Sequence, residues 1–518
     1  MTGVQTCALP ISLKFPRPAT PDFLLRYYDR TGARDALEMV LFTLRKMANG
    51  GIHDHLGGGF HRYAVDDRWH LPHFEKMLYD QAQLANVFLD AYQITREAVY
   101  AEAACDILNY VRRDMTGAQG QFYSAEDADS VVPDRPGEHA EGAFYVWEHD
   151  EIVSVLGQQK AAIFNARYGV EKNGNVRNDP QGEFRGKNIL IVSRSIDELA
   201  KQSGENKDAI ETILSESRAL LFAKRTTRPR AHLDDKTITA WNGLMISAFA
   251  RAFQILEDED YLMAATAAAA FVRKNLYTPA NGILLRRYRT GRAAIEGYAE
   301  DYAFLINGLL DLYEASFDVE HLNWAITLQH KQDSLFLDHR QGGYFSTTGK
   351  DNTILMRIKE DYDGAEPSAN SVTLQNLLRL ALMTDQQEYR EQAERIITEF
   401  SLKLERAPHA MPRMISAFDF YLARPRQIII AGKPGAVDTR NLLRILHERF
   451  IPNKTITLSD GAAGQHSLEK RRKFISLIQP IDGKATAYVC ENGVCKLPVT
   501  DPEALRAVLL EFRREDLE

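Results

Sequence analysis

Five histidines lie close together in the segment GGIHDHLGGGFHRYAVDDRWHLPHFEKMLYD, which runs from Gly50 to Asp80. They are His53, His55, His61, His70 and His73, out of 14 in the whole chain. Imidazole nitrogens bind zinc and similar metals, and a histidine beside a carboxylate moves protons near neutral pH. A histidine beside glycines can also simply bond the carbonyls of a tight turn. This histidine-rich segment is therefore the first candidate for a functional site.

A polar pocket and an ordered structural loop explain the histidine-rich segment equally well, and both are favoured over a metal site. His53 and His55, with His61 six residues on, are one compact ligand group, and no second His/Cys cluster completes a site. In a pocket, aromatic faces suit sugar rings and a histidine with a carboxylate transfers protons. The side chains of this segment that would grip a hydroxylated or anionic ligand are Arg62, Trp69, His73 and Glu75.

A second candidate is the acidic stretch SAEDADS, residues Ser124–Ser130, which aromatic residues flank on both sides. Glycoside chemistry needs two carboxylates whose surroundings push their pKa values apart. The candidates are Glu126, Asp127, Asp234, Asp235, Glu300, Asp301, Asp363 and Glu366. Several of them precede helical segments, where an acidic residue caps the helix or favours its dipole. The sequence does not select one pair from this set.

The elements that must position these residues are predominantly helical. Apolar residues recur at helical spacing from about Ala33 to Tyr421, and loops rich in glycine, aromatic and ionisable residues recur mostly two helices apart. In a chain of antiparallel hairpins such loops converge on one end, which predicts a closed α/α toroid over residues 13–423. From Arg424 onward, RQIIIAG, KTITLSD and ATAYVCEN predict strands between helices, and hence a small α/β appendage over residues 424–518.

Composition excludes several classes of protein. The 518 residues carry 63 Lys+Arg against 71 Asp+Glu, a net charge of −8, so nucleic acid is not an expected partner. No apolar run approaches the roughly 20 residues of a membrane span. Four cysteines do not make a disulfide framework, and Cys490 and Cys495 are not a Cys-x-x-Cys pair, so we expect a reduced, cytoplasmic protein.

The first 12 residues, MTGVQTCALPIS, differ in character from the rest of the chain. They contain no Lys or Arg and so lack the charged start of a secretory signal. They resemble translated adapter sequence. We expect natural sequence to begin near Leu13 or Lys14.

Several stretches together follow the pattern of a known family. They are LKFPRP, the histidine-rich segment, FYSAEDADS, DDKTITAWNGLM, EGYAEDYA, DGAEPSANS and AYVCENGVCKLPVTDPEAL. In this order they resemble the thioredoxin-domain-containing family of spermatogenesis-associated protein 20. The resemblance implies an α/α toroid similar to those of N-acylglucosamine 2-epimerases and six-hairpin glycosidases. It also implies a thioredoxin-like domain with a Cys-x-x-Cys motif before the toroid, which we expect to be missing here.

We predict a mainly α protein whose toroid holds a carbohydrate-processing or carbohydrate-binding pocket, epimerase-like or glycosidase-like. No metal and no cofactor are predicted, and the ligand is a small molecule, with a sugar as first candidate. Proton transfer is assigned to His61, His73, Glu75, Glu126 and Asp127. Ligand binding is assigned to His55, Arg62, Trp69, Tyr123, Asp235, Trp241, Asn242, Glu300, Asp301 and Glu366. The alternative is a non-catalytic module that binds a ligand or partner together with the missing thioredoxin-like domain.

Overall fold

The computed structural model describes residues 13–133, 135–177, 179, 182–350, 353, 355–491 and 494–517. The expectation about residues 1–12 lies outside this range. None of the helices in the described ranges is both long and apolar enough to cross a membrane.

Helices dominate the described chain, as the helical spacing of apolar residues predicts. In chain order they are α1 (Ala19–Thr31), α2 (Arg34–Asn49), α3 (Leu78–Thr95), α4 (Ala98–Asp114), α5 (His149–Tyr168), α6 (Ile196–Ser203), α7 (Lys207–Arg225), α8 (Thr239–Leu256), α9 (Glu259–Asn275), α10 (Ala299–Ser316), α11 (Val319–Phe336), α12 (Ala369–Thr384), α13 (Gln387–Arg406), α14 (Pro412–Leu422), α15 (Val437–His447), α16 (Ala463–Glu469) and α17 (Pro502–Leu517).

Six helices form a closed inner ring in the order α1, α3, α8, α10, α12 and α14, and α14 packs back against α1. Helices α2, α4, α9, α11 and α13 form an outer layer, each packed on the inner helix that precedes it in the chain. Buried apolar side chains fill the space between the layers, among them Phe88, Ile107, Phe249, Leu305 and Leu374. The predicted α/α toroid is confirmed.

The contact between α8 and α10 is close because glycines face each other across it. A Cβ atom on Gly243 would lie 2.5 Å from the backbone nitrogen of Leu305, and one on Gly308 would lie 2.4 Å from the carbonyl oxygen of Gly243. Real Cβ atoms do not come so near, so any larger residue would push the two helices apart. These two glycines allow the inner ring to close at this crossing.

Helices α5, α6 and α7 form a separate unit inserted between α4 and α8. They pack on one another around their own buried core, which includes Ile152, Phe164, Leu199, Leu214 and Leu221. The interval 13–423 therefore contains a helical insertion beside the toroid. Periodicity alone did not reveal it, because an amphipathic helix has the same spacing whichever core it covers.

The C-terminal region is a sheet layer packed with helices, as predicted. Strands are numbered in chain order over the whole protein. The last four, which form this sheet, are β12 (Arg426–Ala431), β13 (Lys454–Ser459), β14 (Thr486–Glu491) and β15 (Val494–Cys495). The order is β13-β12-β14-β15, with β12 parallel to β13 and antiparallel to β14. Helices α15 and α17 pack together beside this sheet.

Short strands tie the loops at the N-terminal ends of the inner helices. They are β1 (Tyr63–Ala64), β2 (Pro72–His73), β3 (Lys76–Met77), β4 (Ala125–Glu126), β5 (Asp129–Val131), β6 (His139–Glu141), β7 (Leu233–Asp234), β8 (Thr237–Ile238), β9 (Tyr277–Thr278), β10 (Ile283–Arg289) and β11 (Arg292–Glu296). The order β3-β4-β7 joins the histidine-rich segment, the acidic stretch and the segment before α8. This pairing confirms the predicted convergence of the polar loops on one end of the ring.

The oxidation state of two cysteines differs from the expectation of a reduced chain. Cys490 and Cys495 form a disulfide between the antiparallel strands β14 and β15. Their separation of five positions rules out a Cys-x-x-Cys motif, but the hairpin register places the two residues directly opposite each other. The expectation was wrong for this pair because a tight hairpin sets the two cysteines opposite each other without any redox-motif spacing.

A buried ionic network joins the insertion to the toroid. Arg225 at the end of α7 donates from both terminal nitrogens to the Asp54 carboxylate, at 2.7 and 2.9 Å. Lys76 Nζ donates to the same carboxylate at 2.9 Å and to the carbonyl of Gly58 at 2.9 Å. Burial raises the pKa of Asp54, but Arg225 and Lys76 outweigh it and hold the pKa well below its usual range. Asp54 is therefore ionised between two cations.

Replacement of Arg225 by methionine should strongly destabilise the protein. The variant leaves Asp54 with a single cation in a dry site, and loss of one partner from a buried ion pair costs about 3–5 kcal/mol. Urea unfolding should show this loss. The matched control Lys224→Met alters an exposed neighbour on the same helix and should change the free energy of unfolding by less than about 0.5 kcal/mol. Equal effects of the two substitutions would contradict the assigned role of the network.

Candidate functional site

The N-terminal ends of α3, α8, α10 and α12 point to one rim of the inner ring, which we call the mouth. The loops before α3 and α12 supply Arg62, His73, Glu75 and Glu366, and the first turns of α8 and α10 supply Trp241 and Glu300. These residues come from segments about 60 or more positions apart. The ring brings them to one place because every second helix starts there.

His73, Glu75 and Arg62 form the first half of the mouth. Arg62 Nη1 donates to Glu75 Oε2 at 2.7 Å, and His73 Nδ1 lies 2.6 Å from Glu141 Oε1. His73 Nε2 also lies 3.7 Å from Glu75 Oε2. The pairing of β1 with β2 stacks the Tyr63 ring on His73, with ring centroids 4.8 Å apart. Histidine, carboxylate and guanidinium thus form one partly exposed chain of contacts.

The charges of this half are set by their neighbours. Burial lowers the pKa of His73, but the hydrogen bond to Glu141 and the nearby Glu75 carboxylate outweigh it and raise the pKa to about 9. The nearby His73 cation lowers the pKa of Glu75, burial opposes the shift, and the bond from Arg62 adds to the lowering. At neutral pH, His73 is therefore a cation and Glu75 an anion.

Trp241 and Glu366 form the second half. The indole Nε1 of Trp241 donates to Glu366 Oε2 at 2.8 Å, and the Trp241 ring packs edge to face on Tyr79 with centroids 4.9 Å apart. Burial raises the pKa of Glu366 to about 7, and the charge of Glu300 adds to the rise while the Trp241 bond opposes it. Glu366 is therefore poised between its protonated and ionised forms near neutral pH.

Glu300 and Asp301 share one cation. Arg286 Nη1 donates to Glu300 Oε1 at 2.6 Å and to Asp301 Oδ2 at 3.1 Å. Asp301 also accepts from the backbone nitrogens of Tyr298 at 2.9 Å and Ala240 at 3.1 Å. Burial raises its pKa to about 6, with Arg286 opposing. Asp301 thus fixes the starts of α8 and α10, as the capping interpretation predicts, while Glu300 remains partly exposed at the mouth.

Asp80 and Tyr79 connect the two halves and were not among the predicted residues. Asp80 Oδ2 is buried without a hydrogen-bond partner among the described residues. Burial raises the pKa of Asp80 well above its usual range, Arg62 opposes, and Glu366 adds to the rise. In the sequence, Asp80 lies in the first turn of a helix, where an acidic residue ordinarily favours the dipole. Only its position between Arg62 and Glu366 in the folded chain distinguishes Asp80 from an ordinary acidic residue at a helix start.

His61 and Glu126, predicted to transfer protons, lie away from the mouth in the buried ionic network. Each is only 2% exposed. His61 Nδ1 lies 2.9 Å from the carbonyl of Phe74, and burial lowers its pKa well below the usual range. Glu126 accepts from Tyr110 Oη at 2.5 Å and from Arg230 Nη2 at 2.6 Å. The bonds these side chains make hold the fold together, and we assign them a structural role.

His55 and Trp69, predicted to bind ligand, also hold the histidine-rich segment together. His55 Nε2 lies 2.9 Å from the carbonyl of Gly50, and burial lowers its pKa to about 3, with the charge of His53 adding to the effect. Trp69 is 3% exposed with a φ of +65°, and Lys14 Nζ lies 4.7 Å from its ring centroid. Neither side chain reaches the mouth, so the structural-loop interpretation applies to both.

The remaining predicted residues lie in the first turn of α8 and on the loops before α8 and after α4. Asn242 is buried and clamps Phe122 through its backbone, accepting from the nitrogen at 3.0 Å and donating to the oxygen at 3.0 Å. Asp235 is bound by Arg289 Nε at 2.5 Å. Asp127 is exposed, and Tyr123 packs beside Gly117 in the loop after α4. The structure does not bring these four residues together with His73, Glu75 and Glu366.

A metal ion has no evident site in the part of the chain that the structure describes. No group of three or more His, Cys, Asp or Glu side chains there is arranged to hold one. His53 illustrates the reason, because its Nδ1 lies 3.0 Å from the carbonyl of Ala48 and its ring stacks on Phe60.

Comparison with curated proteins identifies the family. The chain is 41% identical to spermatogenesis-associated protein 20 of Mus musculus, and of Homo sapiens, over 521 residues in each case. An uncharacterized protein of Caenorhabditis elegans is 34% identical over 524 residues, which cover 96% of this chain and 70% of that protein. The chain belongs to the family of spermatogenesis-associated protein 20. It spans 66% of the length of the mammalian relatives, and no protein-family model matches it.

Two solved structures align with about three quarters of the chain at TM-scores below 0.5. Cellobiose 2-epimerase from Bacillus thermoamylovorans aligns with a TM-score of 0.46 and 9% identity, covering 74% of this chain and 75% of the epimerase. An α-mannanase of glycoside hydrolase family 76 from Bacteroides thetaiotaomicron aligns with a TM-score of 0.43 and 11% identity, covering 74% and 73%. Both alignments concern the fold alone.

The raised pKa of His73 predicts a pH-dependent contribution to stability. Its folded-state pKa of about 9 exceeds the ordinary value of about 6.5, so its hydrogen bond to Glu141 and its charge contact with Glu75 stabilise the protein fully below pH 6.5. That contribution should disappear as the pH rises towards 9. Unfolding free energies of the parent and His73→Gln should therefore differ more at pH 6 than at pH 9.5.

Two further observations complete this test. The exposed His339→Gln variant reports the effect of losing an imidazole away from the mouth. An NMR titration of the parent should show the His73 imidazole losing its proton near pH 9. Titration of that ring near pH 6.5 would contradict the assigned contacts.

Proposed function

We propose that the mouth carries out acid–base chemistry on a carbohydrate. The observation that carries this proposal is the pair of carboxyl groups whose pKa values are shifted in opposite directions on one rim. The pKa of Glu75 is lowered by His73 and Arg62, and that of Glu366 is raised to about 7 by burial. Two carboxyl groups whose pKa values differ in this way supply one proton acceptor and one proton donor at the same pH.

Glu366 is the proposed proton donor, and Glu75 the proposed acceptor. A donor with a pKa near the working pH is protonated in a large fraction of molecules and still gives up its proton readily. Trp241 holds the Glu366 carboxyl through one oxygen, and Arg62 and His73 hold Glu75 as an anion. His73 and Arg62 thereby keep positive charge beside any negative charge that develops on the substrate.

A carbohydrate suits the other surfaces of the mouth. Trp241 and Tyr79 form one aromatic wall, and Tyr63 stacked on His73 forms another. Aromatic faces pack against the C–H faces of sugar rings, while the carboxyl groups and Arg62 offer partners for hydroxyl groups. Epimerase-like chemistry would use Glu75 to remove a proton beside a carbonyl and Glu366 to return one. Glycosidase-like chemistry would use the same two groups on either side of one bond.

We propose in addition that the protein acts in the cytoplasm.

A screen for solvent exchange tests the proposal directly. The chain is incubated with free aldoses and ketoses in D₂O, and NMR follows deuterium at the carbon beside the carbonyl. Release of nitrophenol from aryl glycosides is followed in parallel. We expect one class of sugar to react, and Glu366→Gln to lower the rate by about 10²–10⁴-fold while binding persists. The parent rate should fall above about pH 7, as Glu366 loses its proton.

The matched control is Glu391→Gln, which changes an exposed carboxylate on α13 and should leave the rate unchanged. A sugar that reacts equally fast with the parent and Glu366→Gln would contradict the assigned donor. Absence of sugar binding and of reaction, in a folded chain, would contradict the proposal. It would favour the alternative, a non-catalytic module that acts with a thioredoxin-like domain.

A further inference from the structure

A polar chamber lies on the axis of the toroid, beneath the mouth. All six inner helices contribute to its wall, and its volume is about 170 Å³. Its floor comes from the C-terminal layer, at the end of α15 and the turn before β13. Gln93 of α3 holds this floor in place by donating to the carbonyl of His447 at 2.6 Å. The C-terminal layer therefore closes the far end of the ring.

Eight charged side chains line the chamber, and the five cations among them outnumber the three carboxylates. The cations are Arg26, Arg251, Arg379, Arg413 and Lys454, and the carboxylates are Asp22, Asp311 and Glu314. Asp90 lies behind the wall as the partner of Arg251. Burial lowers the pKa of His447 to about 3, with Lys454 and Arg251 adding to the effect, so this ring is neutral. The chamber holds positive charge in excess.

The excess is greatest where two arginines share one carboxylate. Arg26 Nε donates to Asp22 Oδ1 at 3.3 Å, and Arg413 Nη1 donates to Asp22 Oδ2 at 3.1 Å. The charge of Arg379 is more fully compensated, because this side chain pairs with Asp311 at 2.8 Å and with Glu314 at 3.4 Å. A guanidinium carries five N–H donors, so Arg413 retains donors for a further acceptor.

Lys454 adds a second cation with donors to spare. Its Nζ donates to the carbonyl of Ile451 at 3.0 Å, and an ammonium group has three protons. Burial lowers the pKa of Lys454 to about 8, with Glu314 opposing, so the group is still largely charged at neutral pH. An anion in the chamber would favour the charged form.

Amide side chains complete the lining. Asn86, Gln254 and Gln375 each line the chamber, and one terminal atom of each has no hydrogen-bond partner among the described residues. Buried polar atoms normally find partners. Because a terminal amide can present either its NH₂ or its oxygen, these three groups can adapt to a ligand that both accepts and donates.

We infer that this chamber binds a small oxyanion, either free or as the phosphate group of a phosphorylated sugar. Guanidinium and ammonium groups are the preferred partners of phosphate oxygens, and a hydrogen phosphate also donates a proton to an amide oxygen. The lining offers both functions around a space of the right order of size. The inference does not depend on chemistry at the mouth, because the cations of the chamber come from other positions on the inner helices and from the C-terminal layer.

Calorimetric titration of the full chain with inorganic phosphate at low ionic strength tests the inference. We expect saturable binding of one phosphate per chain. Arg413→Met should weaken it at least tenfold while leaving Asp22 paired with Arg26, and Lys454→Met should weaken it by a similar factor. Gln254→Leu, which removes an amide with an unpartnered nitrogen, is a third variant in case either charged variant fails to fold. The control Lys433→Met changes an exposed lysine of the C-terminal region and should bind as the parent does.

Further experiments identify the source of the anion. They also distinguish this inference from the proposed function of the mouth. A sugar phosphate that binds more tightly than both phosphate and the free sugar identifies a phosphorylated sugar, whereas equal affinity for phosphate and sugar phosphate identifies a free oxyanion. Glu366→Gln should bind phosphate as the parent does, so loss of sugar chemistry at the mouth leaves this test intact. No phosphate binding by the parent, or unchanged binding by all three chamber variants, would overturn the inference and leave the chamber as an internal ion-pair network.

Discussion

The conformation of the histidine-rich segment depends on one buried carboxylate, Asp54. Burial of an ionised carboxylate is strongly unfavourable unless cations and hydrogen bonds compensate it. Arg225 and Lys76 supply the cations, and the backbone nitrogens of Leu56 and Gly57 donate to the same group. Arg225 lies 171 positions further along the chain, so the segment can reach this conformation only when the insertion packs against it. The run of three glycines permits that approach, since a Cβ on Gly57 would come within 2.2 Å of Arg225 Nη2.

The same network positions the mouth without belonging to it. Lys76, bound to Asp54, begins β3, and β3 pairs with β4 at Glu126. Glu75 immediately precedes Lys76, and His73 lies on the preceding strand β2. The buried ions thus hold the backbone from which His73 and Glu75 project. His61 and Glu126 contribute to the site through this support.

The inner ring explains why carboxyl groups with different properties gather at the mouth. Four inner helices begin there, and the positive ends of their dipoles favour negative charge. Burial works in the opposite direction, since it disfavours the ionised form. Glu75, with two cationic neighbours, stays ionised, whereas Glu366 and Asp80 lie deeper and hold protons more strongly. At the other end of the ring, the C-terminal layer closes the axis, and cations from several helices face one another across the chamber.

The sequence by itself determined the family, the helical toroid, the C-terminal sheet and the convergence of the polar loops on one end of the ring. These depend on local periodicity and on motif order, which a linear pattern records. Tertiary structure alone decided which candidates belong to the mouth. His61 and His73 lie on one segment, yet Phe74 and the buried ions surround the first, while Glu75 and Glu141 contact the second. Exposure and pKa depend on such neighbours from distant parts of the chain, as the bond from Trp241 to Glu366 shows. Sequence spacing therefore could not separate supporting residues from those at the site.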